Sequence, residues 1–374
     1  MKYLPLSIFS LFIVCSVPAQ TCDQQAMEQR EHGWAQIPDA LTSRADKNGI
    51  DKAFVRKLST IISPMLPKPR GGEGFWYGNY DGKPVKLQYS KPYIANFIFK
   101  NYLCVNGKEV LNNGYNASAF INVNGLGDIG GSITLNGKEY STIRFINTIK
   151  NGYPYFSFNR DNNPYSTEMH ESWLITYKDK LPFTYMSRKE YLQEAKAEQN
   201  KKMEEMIASV KLGHKIRTRT EQEAEKQKQI DYYRIHYKGS ALESVLARFE
   251  KDYRTDEQKL DDAVELTKKN YGVLFTVISN YLNNSPAEYL EQPAVVLPYG
   301  TYSFKNFEAN EKDINAVYIL RNNPNYYNVK LPVSAPQYIT VVIRNLIKIK
   351  SADAFAIALK KKELLDNLFA TLGK

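Results

Sequence analysis

Between Leu181 and Leu192 the hydrophobic rhythm of this chain changes from a repeat of two to a repeat of three to four. That change constrains the fold more than any other feature, because strands and helices show their side chains at different periods and one stretch cannot satisfy both. Pro182 discourages the upstream strand from running on, since it cannot donate to a ladder. Ser187 and Glu190 have the spacing of a capping box, in which hydroxyl and carboxylate take up otherwise unpaired backbone amides. Short alternating segments lie upstream and long amphipathic ones downstream. The pattern predicts an α+β protein: an antiparallel β meander, as a curved sheet or partial barrel, then long amphipathic helices and a C-terminal strand-helix segment.

Upstream, Phe54, Leu58, Ile61, Ile62 and Met65 share one helical face, and Pro64 and Pro67 mark where that helix fails. Arg70 to Gly82 reads as a glycine loop loaded with rings, among them Trp76, Tyr77 and Tyr80. Those rings either face a ligand or plug the open end of a sheet, packing being the commoner use of large aromatics. Asn106-Gly107 and Asn136-Gly137 are pairs that suit tight hairpin turns, and the run around Trp173 reads as a further strand.

Downstream, one helix is predicted from Arg188 to about Leu212 and a second from a capping box at Thr220 and Glu223 to His236, unless Gly213 is tolerated and the two fuse. Ser240 with Glu243 starts another. Thr255 with Gln258 caps a helix in which Leu260, Val264, Thr267, Tyr271, Leu274, Ile278 and Tyr281 form a coiled-coil-like seam. Short connections favour pairing within the chain, as a helical hairpin in a monomer, over a helix-mediated dimer. Residues 316–320 and 338–343 read as buried strands, separated by a turn-rich loop that carries Tyr326 and Tyr327, and a last helix starts near Ser351. The segments are then a signal peptide at 1–19, a helical segment at 20–70, a β domain at 71–180, a helical hairpin region at 181–291 and C-terminal strands and helix at 292–374, the last packing back on the β domain.

The leader is read from Lys2, the apolar run Leu4–Val17 and small residues before Gln20. Later in the chain no stretch is apolar enough to span a bilayer. Export leaves Cys22 and Cys104, which an oxidising compartment allows to bridge. The formal charge of +10 raises a nucleic-acid reading, but the basic residues alternate with acids along helices instead of forming one arm. No nucleic-acid partner is predicted.

Few motifs point to chemistry. Gly125 to Gly130 spells a dinucleotide fingerprint, yet a strand and a hairpin turn follow it where phosphate binding needs a helix N-terminus. His32, His170, His214 and His236 lie far apart without metal-ligand spacing, so neither a metal nor a cofactor is predicted. His170 with Glu171 is the best polar pair; Glu73, Asp81 and Asp161 are further carboxylates that a glycan hydrolase would have to bring together.

The junction from Trp173 to Leu192, with Pro182-Phe183-Thr184-Tyr185-Met186-Ser187-Arg188-Lys189-Glu190-Tyr191-Leu192, resembles a strand-to-helix junction that recurs in uncharacterised secreted proteins of Gram-negative bacteria. The resemblance implies a periplasmic or extracellular location and brings no catalytic residue with it. By elimination, the chain is read as a non-enzymatic envelope protein that binds a protein or glycan through Trp76, Tyr77, Tyr80, Tyr326 and Tyr327. An envelope hydrolase using Glu73, His170 or Glu171 and a structural spacer built on the long helices are the alternatives.

Overall fold

The computed structural model describes residues 22–36, 52–79, 90–114, 116–159, 168–177, 180–297, 307–309, 313, 315–346 and 350–374. The leader and Tyr80, Asp81 and Asp161 lie outside them. The architecture is α+β, with a curled antiparallel half-barrel and long helices. The chain divides into two compact units, one drawn from 1–130, 146–182 and 322–374 and the other from 131–145 and 183–321. This cuts across the linear scheme above: the hairpin around Asn136-Gly137 goes with the helices, and the C-terminal segment is shared between the units at Arg321.

The first unit is built on a nine-stranded sheet, in the order β1 (Trp34–Gln36), β2 (Gly72–Asn79), β3 (Tyr93–Val105), β5 (Ala117–Val123), β14 (Ile339–Leu346), β10 (Glu168–Ile175), β9 (Tyr153–Asn159) and β8 (Thr148–Lys150); β4 (Lys108–Leu111) pairs with the end of β3. β1 and β2 are parallel and the other described pairings antiparallel. Asn106-Gly107 and Asn151-Gly152 close the β3–β4 and β8–β9 hairpins with both residues at positive φ, the conformation a tight turn of this hand requires.

Residues 72–79, expected as a loop, form a strand. Glycine weakens a strand unless another group must come close, and here it does: a Cβ on Gly74 would lie 2.4 Å from the Trp34 ring, and one on Gly72 2.1 Å from the Lys100 carbonyl oxygen.

Register aligns Ala95, Ile121, Val341, Trp173 and Tyr155 in one row across five strands. That face is covered by Leu58 and Ile62 of the helix Lys52–Ile62, by Phe355, Ala356 and Leu359 of the helix Lys350–Leu359, and by Leu364, Leu365 and Leu368 of the helix Lys362–Phe369. The last two replace the single expected helix. At about 100° per residue their apolar sets would point in opposite directions on an unbroken helix, and the break at Lys360 and Lys361 turns the second set back onto the sheet.

The second unit holds a smaller sheet in the order β11 (Phe183–Tyr185), β13 (Val317–Asn322), β7 (Lys138–Arg144) and β6 (Gly130–Leu135), with β12 (Val295–Val296) paired to β13. The helix Arg188–Gly213 packs along the helix Asp256–Asn284, and Met186, Leu192, Ile278, Leu290, Phe307 and Ile319 are buried together. The capping boxes at Ser187 and Thr255 are formed.

Residues 188–236 make two helices, the second being Arg219–His236, capped by Thr218 with Glu221. Thr218-Arg219-Thr220-Glu221 and Thr220-Glu221-Gln222-Glu223 both fit the box pattern. The earlier register is used because Arg217, just before it, is fixed by a two-point ion pair to Asp256, with Nε and Nη2 2.8 and 2.9 Å from its oxygens. The next helix, Gly239–Asp252, starts without a side-chain cap, so Ser240 is already inside it.

The three tryptophans of the sequence, Trp34, Trp76 and Trp173, all belong to the first unit, so their fluorescence reports its unfolding alone. Leu365→Ala should lower the stability read this way by about 2–5 kcal/mol. An unchanged denaturation midpoint would mean that the last helix does not close the sheet.

Candidate functional site

Alternation along β10 sends His170 and Glu171 to opposite faces of the large sheet. On the helix-covered side, Glu171 is bonded by Lys360, accepts from the Tyr155 hydroxyl at 2.7 Å and lies 3.3 Å from the Lys150 ammonium. Burial would raise this carboxyl, but the bonds from Lys360 and Tyr155 and the charges of Lys360 and Lys150 outweigh it and hold it below the usual value.

On the other face, His170 has Nδ1 2.9 Å from Asp128 and Nε2 3.2 Å from Glu168. Arg344 donates to both Asp128 oxygens at 2.8 and 2.7 Å while its guanidinium sits over the Phe120 ring. Asp128 comes from the glycine-rich stretch Gly125–Gly130. That stretch forms a short 3-10 turn (Gly127–Ile129) leading into β6, so no helix N-terminus is present there to hold a pyrophosphate.

Asp128 and Glu171 are thus each held by partners within their own network. Glu73 is likewise occupied, by the Tyr102 hydroxyl. It sits on β2, four strands from β10 in the sheet order, about 19 Å at the usual spacing. Glu73, His170 and Glu171, the residues named for a hydrolase, are therefore not brought into one cleft.

A cleft of about 500 Å³ lies elsewhere in the first unit, where the β8–β9 turn, the end of β10 and the last helix meet. Its walls include Tyr153, Tyr177 and Phe369, with Lys180, Lys362 and Asp366 among them. The Tyr153 and Phe369 rings stand 6.3 Å apart at 49°, and Phe369 is 38% exposed. Asp366 is gripped on both oxygens, by Tyr153 Oη at 2.9 Å and Lys362 Nζ at 2.6 Å. These bonds, the one from Lys362 first, lower its carboxyl below the ordinary range. Burial, with help from the Asp366 carboxylate, pushes the Tyr153 phenol up. The site therefore offers an anionic acceptor, a neutral phenol and ring faces side by side.

Of the aromatics expected to face a ligand, Trp76 is half-buried on β2 and packs against the core of the first unit, and Tyr77 is half-buried on the same strand. Tyr326 and Tyr327 are 5% and 7% exposed. The Tyr326 hydroxyl donates to the Gln337 carbonyl at 2.6 Å and accepts from the Tyr177 amide at 3.2 Å, and the Tyr327 hydroxyl donates to the Pro182 carbonyl at 3.3 Å. The turn-rich loop thus puts these two tyrosines into packing and not on a presented surface. The Tyr326 ring stands 5.1 Å from that of Tyr177, a wall residue of the cleft.

Cys22 and Cys104 are joined as a disulfide with Cα atoms 5.8 Å apart. Among the described residues no three His, Cys, Asp or Glu side chains form a set that could hold a metal ion, and no helix is long and apolar enough to cross a membrane.

Comparison with protein-family models, curated proteins and solved structures finds no match to this chain. The chemistry of the cleft therefore has to be argued from its own atoms. Sequence patterns do not reveal it, because Tyr153 and Asp366 are more than two hundred residues apart and meet only when the last helix docks.

The ion pair beneath Arg344 has a measurable signature. Burial raises the Asp128 carboxyl, but bonds from His170 and Arg344 outweigh it and bring it down to about 2. A carboxyl depressed in the folded state adds stability above its unfolded value, near 4, and loses it as pH falls through 2. Wild-type stability should therefore drop between about pH 4 and pH 2, by on the order of 2 kcal/mol from this group. Asp128→Asn should lose that part of the slope. Equal acid slopes in wild type and variant would refute the assignment.

Proposed function

We propose that this chain is an exported protein of the Gram-negative cell envelope that binds a ligand without transforming it, and that the cleft beside Tyr153, Phe369 and Asp366 is the seat. The observation that carries this reading is the state of Asp366. Its two oxygens are already held by Tyr153 and Lys362, which fixes it as a directional acceptor between ring faces. A general base must be able to take a proton from the substrate, and a carboxylate held down by two donors is poorly suited to that task. Pre-organised acceptors and apolar walls are what small-molecule recognition sites consist of.

Export is supported by the leader-like N-terminus, by the junction resemblance around Trp173 to Leu192, and by the bridge between Cys22 and Cys104, a bond that persists in oxidising compartments.

The test uses the full chain recovered from the periplasm and isolated Gram-negative envelopes. Wild-type protein should co-sediment with them. Phe369→Ala, with tryptophan fluorescence unchanged, should reduce the bound fraction by about tenfold, the order lost with one aromatic platform. Trp76→Ala should act through packing, lowering stability more than capture. A folded Phe369→Ala protein that sediments like wild type would contradict the reading.

A further inference from the structure

Resting on the binding role just proposed, we infer that the cleft takes a carboxylated sugar, with its ring on Tyr153 and Phe369 and its carboxylate at Lys180. The argument begins with shape. A volume of about 500 Å³ falls within the range of small-molecule sites and admits a mono- or disaccharide. The two rings, 6.3 Å apart and inclined at 49°, make a bent apolar wall. A pyranose has one face of axial C–H groups that such a wall covers without leaving a hydroxyl unsatisfied, and amphipathic aromatics suit a ligand that is apolar on one side and wet on the other.

The polar groups complete the match. Asp366 uses one lone pair on each oxygen for Tyr153 and Lys362, and a carboxylate has about four such sites, so two remain to accept sugar hydroxyls. The Tyr153 oxygen, having donated its proton, can accept another. Asn151 at the cleft rim gives its amide hydrogen to the Lys360 carbonyl at 2.9 Å, which leaves its own carbonyl oxygen as a further acceptor. Such a density of acceptors suits a polyhydroxylated ligand.

Charge then selects among sugars. Lys362 is neutralised by Asp366 at 2.6 Å. The exposed Lys180 has no carboxylate in bonding reach among the described residues. Among the described lining residues Lys180 is thus a cation without a paired carboxylate, and a uronate carboxylate would neutralise it where a neutral sugar would not.

The experiment titrates the full chain with cellobiouronic acid, cellobiose, acetate and acetyl-dialanine, followed by ligand-observed NMR. Cellobiouronic acid should bind about fivefold more tightly than cellobiose, the size of effect an exposed ion pair supports. Neither acetate nor acetyl-dialanine should compete with it. Lys180→Met should erase the difference between the two sugars while leaving cellobiose binding in place, and Phe369→Ala should weaken both by about tenfold. Equal affinity for the two sugars, competition by acetate, or preference for acetyl-dialanine would each overturn the inference. If no sugar binds while Phe369→Ala still reduces co-sedimentation with envelopes, the sugar assignment fails and the binding role stands; loss of both results removes both.

Discussion

The first unit depends on the hydrogen bonding of β14. Residues 339–346 pair on one side with β5 and on the other with β10, so the strand that holds the middle of the large sheet is the last one synthesised. To its left lies the run β2, β3, β5, and to its right the run β8, β9, β10. Neither run can bury its apolar face until β14 joins them and the two helices after it fold over the row of Ile121, Val341 and Trp173. The helices and small sheet of the second unit come from two insertions, 131–145 between β5 and β8 and 183–321 between β10 and β14. Such an insertion costs little stability, because loop-closure entropy rises only logarithmically with length. It does raise the sequence separation of the contacts, which slows folding.

From this seam follows the placement of the polar groups. β14 brings Arg344 over Asp128, and the helix beyond it brings Lys360 to Glu171. Each closes a charged network on one face of β10. Burying a carboxylate is expensive unless it is paired and hydrogen-bonded, and both carboxylates are. The following helix, Lys362–Phe369, carries Asp366 and Phe369, which meet the β8–β9 turn and form the cleft. Thus the interactions that close the fold also assemble the proposed binding seat.

Much of the local structure was legible in the sequence. Capping residues at Ser187 and Thr255 act through neighbours three positions away, and Asn-Gly pairs act within the turn itself, so both can be read from a short window. The Thr218 box is ambiguous in the sequence because two overlapping tetrapeptides fit the pattern and only Arg217, bound to a residue of a later helix, chooses between them. Residues 72–79 look like a loop in sequence for a related reason: glycines there answer the approach of Trp34 and Lys100, which are distant in sequence. The break at Lys360 is masked in the sequence because apolar residues on both sides suit a helix, and only their opposite phases betray it. Tyrosines in a turn-rich loop look presented to solvent, but Tyr326 and Tyr327 are drawn inward by carbonyl acceptors on Gln337 and Pro182, while Phe369, an apolar residue of the last helix, is exposed.

Native-state hydrogen exchange, resolved over 117–123, 168–175 and 339–346, addresses the central claim most directly. If β14 is the seam, the slowest amides of all three segments should exchange through one shared opening, at the free energy of global unfolding of the first unit. Exchange of 339–346 through a cheaper opening that leaves 117–123 and 168–175 protected would contradict it.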